Sequence, residues 1–166
     1  GIAGVAYQCR IVPVRIAYGV GNYWATSDAW IADGMNWAWN QGAADVLSNS
    51  WGGGSVSSLI DGAITNALTF GRGGRGASVI FAAGNGNGSV GYPASNNQTI
   101  AVAAMSMCDQ RKSKTSCDGE YWWGSDYGTN VDIAAPGVKI YATDISGAAG
   151  YSSGDFYPTF NGTSSA

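Results

Sequence analysis

Apolar and polar residues alternate through "QCRIVPVRI" at 8–16, a stretch rich in β-branched side chains, and this period of two predicts a strand. The next segment, "TSDAWIADGMNWAWNQG", changes period. Trp30, Ile31, Met35 and Ala38 recur at helical spacing behind Thr26 or Ser27 as N-cap, and Gly42 supplies a stop signal, so a helix is expected. "ADVLSNS" at 44–50 is a short buried strand. The helical period returns in "SSLIDGAITNALTFG" through Leu59, Ile60, Ala63, Ile64, Ala67 and Leu68, with Gly71 at its C-terminal end. Continuous apolar runs at 77–83, "ASVIFAA", and 99–105, "TIAVAAM", read as further strands, the first covered on both faces.

Strands alternating with helices imply right-handed crossovers. The fold class is therefore α/β, with a mostly parallel sheet flanked by helices on both faces. Past residue 106 the pattern changes: a polar, aromatic excursion runs to Tyr127, and "VDIAA", "VKIYAT" and a final loop bring back short strands. No internal repeat or domain linker interrupts the 166 residues, which are enough for one core.

Composition narrows the field. Charged residues make up 11% of the chain, the net charge is -3, and the eight basic residues are scattered, which argues against a nucleic-acid partner. No apolar run approaches the ~20 residues of a membrane span, and "GIAGVAYQCR" lacks the charged start and apolar middle of a signal peptide. The chain has three cysteines. Cys108 and Cys117 bracket a short polar loop that a disulfide could close, contributing roughly 2 to 3 kcal/mol. Cys9, in an apolar setting, is expected to be buried as a small hydrophobe.

In parallel sheets the functional loops leave the carboxyl ends of the strands. Two glycine-rich loops do so here, "SWGGG" after the strand at 44–50 and "GNGNG" after the strand at 77–83. The second is a poor dinucleotide fingerprint, because Ser89 stands where the last glycine belongs and no helix start follows. Asn85 has two readings: an amide donor to a developing oxyanion, or an asparagine holding a left-handed turn between glycines. Near the end, Gly162, Thr163 and Ser164 suit a nucleophilic serine at a tight turn, yet the chain contains no histidine to activate a hydroxyl.

Six segments change the weight of these pieces. "GIAGVAYQCRIVPVRI", "WIADGMNWAWNQGAADVLSNSWGG", "ASVIFAAGNGN", "GYPASNNQTIAVAA", "VDIAAPGVKIYAT" and "FNGTSSA" stand in an order and approximate spacing that resembles the subtilisin-like serine proteases, over nearly the whole chain. The resemblance implies that Ser164 is the nucleophile of a serine endopeptidase working through an acyl-enzyme. Asn85 would donate to the oxyanion with the backbone N–H of the serine. It further implies a substrate cleft bordered by Ser50, Trp51 and Gly52 on one side and Ala82, Ala83 and Gly84 on the other. A third segment, Trp24, Ala25 and Thr26, would pair with the extended substrate as an added strand. Trp51 departs from the smaller aliphatic residue usual in its place.

The family's catalytic aspartate and histidine lie in motifs that this chain does not contain, nor does it contain the helix that follows the serine. Residues 1–166 are thus expected to be part of a catalytic domain, truncated at both ends and inactive alone. A related family with glutamate for histidine fits less well, since its oxyanion residue is aspartate and the one glutamate, Glu120, lies in the excursion. The alternative is a non-catalytic relative that binds peptides or glycans. Tyr121, Trp122 and Trp123 could extend a substrate or carbohydrate surface, or pack the excursion against the body. The chemistry implied requires no cofactor. A structural calcium ion is plausible by resemblance, with no metal ligands assigned. Protein or peptide substrates, secretion and a monomeric state complete the expectation.

Overall fold

The computed structural model describes residues 5–166. A hairpin of β1 (Tyr18–Val20) and β2 (Tyr23–Ala25) precedes α1 (Asp28–Asn40), which leads through β3 (Val46–Asn49) to α2 (Ser58–Gly74). β4 (Ser78–Ala82), β5 (Ile100–Met105) and β6 (Ile133–Pro136) follow, and β7 (Ile140–Thr143) pairs antiparallel with β8 (Phe156–Phe160). β3, β4, β5 and β6 form one parallel sheet in that order.

The sheet is mostly made by period and burial. Leu47, Val79, Phe81, Ala101 and Ala103 point to one side and form a single core with Ile31 and Met35 of α1 and Ile60, Ile64 and Ala67 of α2. Among the described residues both helices lie on this face. The opposite face carries Val46 and Ile133, each about half exposed, and part of it is covered by the terminal turn around Thr163. Ser27 caps α1, its hydroxyl accepting from the Trp30 amide at 3.3 Å. The α2 backbone departs from helical angles at Gly71, Arg72 and Gly73, so its regular part ends where the glycine stop was read.

Three expectations are corrected. The segment at 8–16 is extended but joins no sheet, because Pro13 lacks a ladder donor and a cavity of about 240 Å³, lined by Val12, Val14, Ile16 and the β3 residues, separates it from the sheet edge. Its alternation survives as facing: Val14 and Ile16 meet the core while Ile11 is exposed. Trp30 and Leu59, placed on buried helix faces, are about half exposed, and Trp30 lies against Tyr18 of the hairpin instead. Cys9 is exposed, not buried.

Because neighbouring strands are parallel, the loops after β3 and β4 leave the same edge of the sheet. Everything described next is arranged on that edge.

Candidate active site

The loop after β3 and the loop after β4 face each other across a cavity of about 350 Å³. Ser50, Trp51 and Gly52 line one wall, and Ala82, Ala83 and Gly84 the other, with Asn85 and Ser164 at the rim they share. Trp51 does not fill the space. Its ring sits edge-on to Phe81 at 5.1 Å and its Nε1 donates to Asn49 Oδ1 at 3.0 Å, so the side chain is held against the core. The Gly53 amide donates to the Tyr92 carbonyl at 2.8 Å, tying the first wall to the back of the cleft.

The terminal turn reaches this edge through fixed backbone contacts. The Gly162 amide donates to the Gly137 carbonyl, just past β6, at 2.9 Å. Gly84 N–H donates to Thr163 Oγ1 at 3.1 Å, and that hydroxyl in turn donates to Asn85 Oδ1 at 3.0 Å. The Thr163 amide reaches the same oxygen at 2.9 Å. Both bonds hold the carbonyl side of the Asn85 amide, which fixes the direction of its NH₂ end.

Gly162 explains what that NH₂ faces. Its φ of +122° is one that side-chain-bearing residues rarely adopt, and a β-carbon there would lie 3.6 Å from both Asn85 Nδ2 and the Ser164 amide nitrogen. The two donors thus flank one small space that exists because residue 162 has no side chain. Ser164 itself is exposed, and its carbonyl accepts from Ser50 Oγ at 3.3 Å, linking the serine to the first wall.

Asp126 is the cleft residue that sequence reasoning missed. The chain from Gly124 to Tyr127 runs parallel to 86–89, with Asp126 N donating to Gly84 O at 2.8 Å and Asp126 Oδ1 accepting from Gly88 N at 2.8 Å. A β-carbon at Gly84, where φ is +112°, would collide with Asp126 Oδ2. The "GNGNG" glycines therefore make room for a carboxylate from a segment forty residues later, roughly, and no local pattern announces such a partner. Tyr92, also in the lining, is no base: burial first, then its bond to Asp61, pushes its hydroxyl up to about 12.

Trp24, Ala25 and Thr26 are not among the cleft-lining residues. Trp24 and Ala25 belong to β2, paired with β1, and Thr26 Oγ1 donates to the Ile16 carbonyl. Cys108 and Cys117 are joined, closing the loop whose centre holds Lys112. Of the aromatic cluster, Trp123 is buried, while Tyr121 and Trp122 are exposed. Among the described residues no group of three or more His, Cys, Asp or Glu side chains is placed to hold a metal ion.

Comparison with known proteins agrees with this arrangement. The model of the subtilase family matches residues 1–166. An extracellular protease of Xanthomonas campestris is 36% identical across 100% of this chain and 27% of its own length. Subtilisin Savinase of Lederbergia lenta is 34% identical across 100% of the chain and 52% of its own length. Thermitase of Thermoactinomyces vulgaris is 38% identical across 86% of the chain and 45% of its own length. The solved structure of the prenylagaramide maturation protease PagA superposes with a TM-score of 0.65 at 25% identity, covering 97% of this chain and 52% of that one. The chain spans about half or less of the length of these relatives. With the family model matched from end to end and the two cleft walls, the glycine loop and the serine turn on one edge of the sheet, this chain belongs to the subtilase family.

Proposed function

We propose that this chain carries the nucleophile and the oxyanion donors of a serine endopeptidase. The observation that carries the reading is the pinned Asn85 amide, whose Nδ2 and the Ser164 N–H flank the space left by Gly162. Ser164 Oγ attacks the scissile carbonyl, and the oxygen that becomes negative is received by these two donors, which need not reorganise as charge develops. Collapse of the tetrahedral species expels the amine and leaves an acyl-enzyme on Ser164, which water then hydrolyses. The 166 residues contain no histidine, so in this reading an imidazole and its orienting carboxylate come from sequence outside them. The walls Ser50–Gly52 and Ala82–Gly84 offer extended backbone to a peptide, and Trp24–Thr26 would add to it.

The relatives named extracellular proteases support secretion of this protein and peptide or protein substrates. The test is a fluorophosphonate probe applied to the intact protein that contains this chain. Stoichiometric labelling of Ser164, with peptide hydrolysis lost on the order of 10⁶-fold in Ser164→Ala, is the expected result. Hydrolysis that persists in Ser164→Ala would remove Ser164 as the nucleophile, and an intact protein that binds peptides without cleaving them would replace this reading with a binding module.

A further inference from the structure

The cleft between the two walls contains one ionised side chain. Of its lining residues only Asp126 carries a charge, since Tyr92 stays neutral and the rest are serine, threonine, asparagine, tryptophan, alanine and glycine. Among the described residues the ion pairs are Arg72 with Asp45 and Lys112 with Asp118, so no cation neutralises Asp126. Arg111, which reaches the carbonyl of the neighbouring Ser125, is committed elsewhere. Its Nη1 donates to Asn87 Oδ1 at 3.0 Å and to the Ser125 carbonyl at 2.6 Å, and its guanidinium lies 4.4 Å over the Tyr127 ring.

The two oxygens of Asp126 have different jobs. Oδ1 accepts the Gly88 amide and holds the glycine loop. Oδ2 lies against Gly84 in the second wall and takes no hydrogen bond from a side chain or backbone donor. No buried side-chain oxygen among the described residues lacks a partner, so Oδ2 is open to solvent rather than sealed in protein. A carboxylate of this kind, half-buried in the cleft wall with no cation beside it, gains most from a cation that arrives with the substrate. A neutral apolar side chain in the same place would strip water from the charge and return nothing.

We infer that Asp126 is a specificity residue, selecting lysine or arginine at the substrate position immediately before the scissile bond. The inference rests on the reading of this cleft as the substrate site of a peptidase and names its substrate class. The long, flexible stem of either residue suits a cavity lined largely by small residues, with the carboxylate beside Gly84.

The test uses the intact protein and peptide substrates that differ only at that one position: lysine, arginine, norleucine, phenylalanine and glutamate. Lysine and arginine are expected to exceed norleucine in kcat/KM by roughly 10- to 100-fold, the factor for one hydrogen bond to a charged group. In Asp126→Asn, which keeps an acceptor for Gly88, that ratio should fall to within about twofold of one. Norleucine or phenylalanine cleaved as well as lysine by the unaltered protein overturns the inference without any variant. An unchanged ratio in Asp126→Asn, with an unchanged melting temperature, overturns it as well. Fluorophosphonate labelling of Ser164 separates the two failures: a labelled, peptide-cleaving protein without basic preference sinks this inference alone, whereas an unlabelled, inactive one sinks both.

Discussion

Two neighbouring regions treat their polar groups in opposite ways. In the loop closed by Cys108 and Cys117, Lys112 is fully buried, yet its Nζ meets the carbonyls of Ser113 and Glu120, Ser116 Oγ and Asp118 Oδ1 at 2.5 to 3.3 Å. Glu120, also buried, accepts from Trp123 Nε1 at 2.6 Å and Asn161 Nδ2 at 3.2 Å. The buried Lys112, Asp118 and Glu120 all have their partners inside the protein. Across the glycine loop, Asn85 and Asp126 each bind the protein with one end only. The contrast separates groups that hold a shape from groups kept for a ligand, because an unspent donor or charge persists in a fold only where solvent or substrate can satisfy it.

The largest effect that would break this contrast is at Asn85. Asn85→Ala removes the donor and also the acceptor that Thr163 uses. kcat in the intact protein should drop ~10²- to 10³-fold with KM little changed, since the lost interaction is made in the transition state. Steady-state kinetics decide it. A drop in melting temperature with kcat preserved would move Asn85 to the structural side.

The next effect lies in the closed loop. Lys112→Met leaves Asp118 buried and uncompensated, and should cost about 3 to 5 kcal/mol in denaturant unfolding. Replacing both partners, Lys112→Met with Asp118→Leu, should recover much of that loss, because no bare charge remains. An equal loss in the single and the double variant would show that the network contributes packing rather than charge compensation.

These regions also differ in how far the sequence could be read. The helices and the parallel strands were legible because Ile60, Ile64 and Ala67, or Val79 and Phe81, recur at the spacing that burial demands. The extended segment at 8–16 misled because alternation reports facing and not pairing; Val14 and Ile16 turn inward without a neighbouring strand. The hairpin was readable and overlooked: Gly21 and Asn22 sit between "YGV" and "YWA", with Gly21 at a φ of +59°, a two-residue turn of the primed kind. In the cleft, Ser164 and Asn85 belong to short motifs whose order along the chain is informative. Asp126 has no such motif. It enters the site only through pairing of Gly124–Tyr127 with the glycine loop, a long-range contact that no local period encodes.

The smallest effect is the pH dependence of the buried pair, and its slope tests the account of Lys112. Burial works to raise the pKa of Asp118, but hydrogen bonds from Ser116, the Glu120 amide and Lys112, together with the lysine charge, outweigh it and hold the carboxyl below its ordinary 3.8. A folded-state pKa below the unfolded one means that the unfolded chain binds the proton more readily. The stabilisation is therefore complete above the ordinary value and is lost as pH falls through it toward the folded pKa. Measured against Asp118→Asn to cancel the other carboxylates, stability should decline as pH is lowered from about 5 to about 3. In Lys112→Met the lowering weakens, because burial remains while the lysine's bond and charge are gone; the folded pKa moves back toward the ordinary value, and the decline of stability in acid should be shallower than in the unaltered protein. Matching slopes in the two backgrounds would mean that Asp118 owes its ionised state to Ser116 and the Glu120 amide, and that the lysine is there for its contact with the Trp123 ring 5.2 Å away.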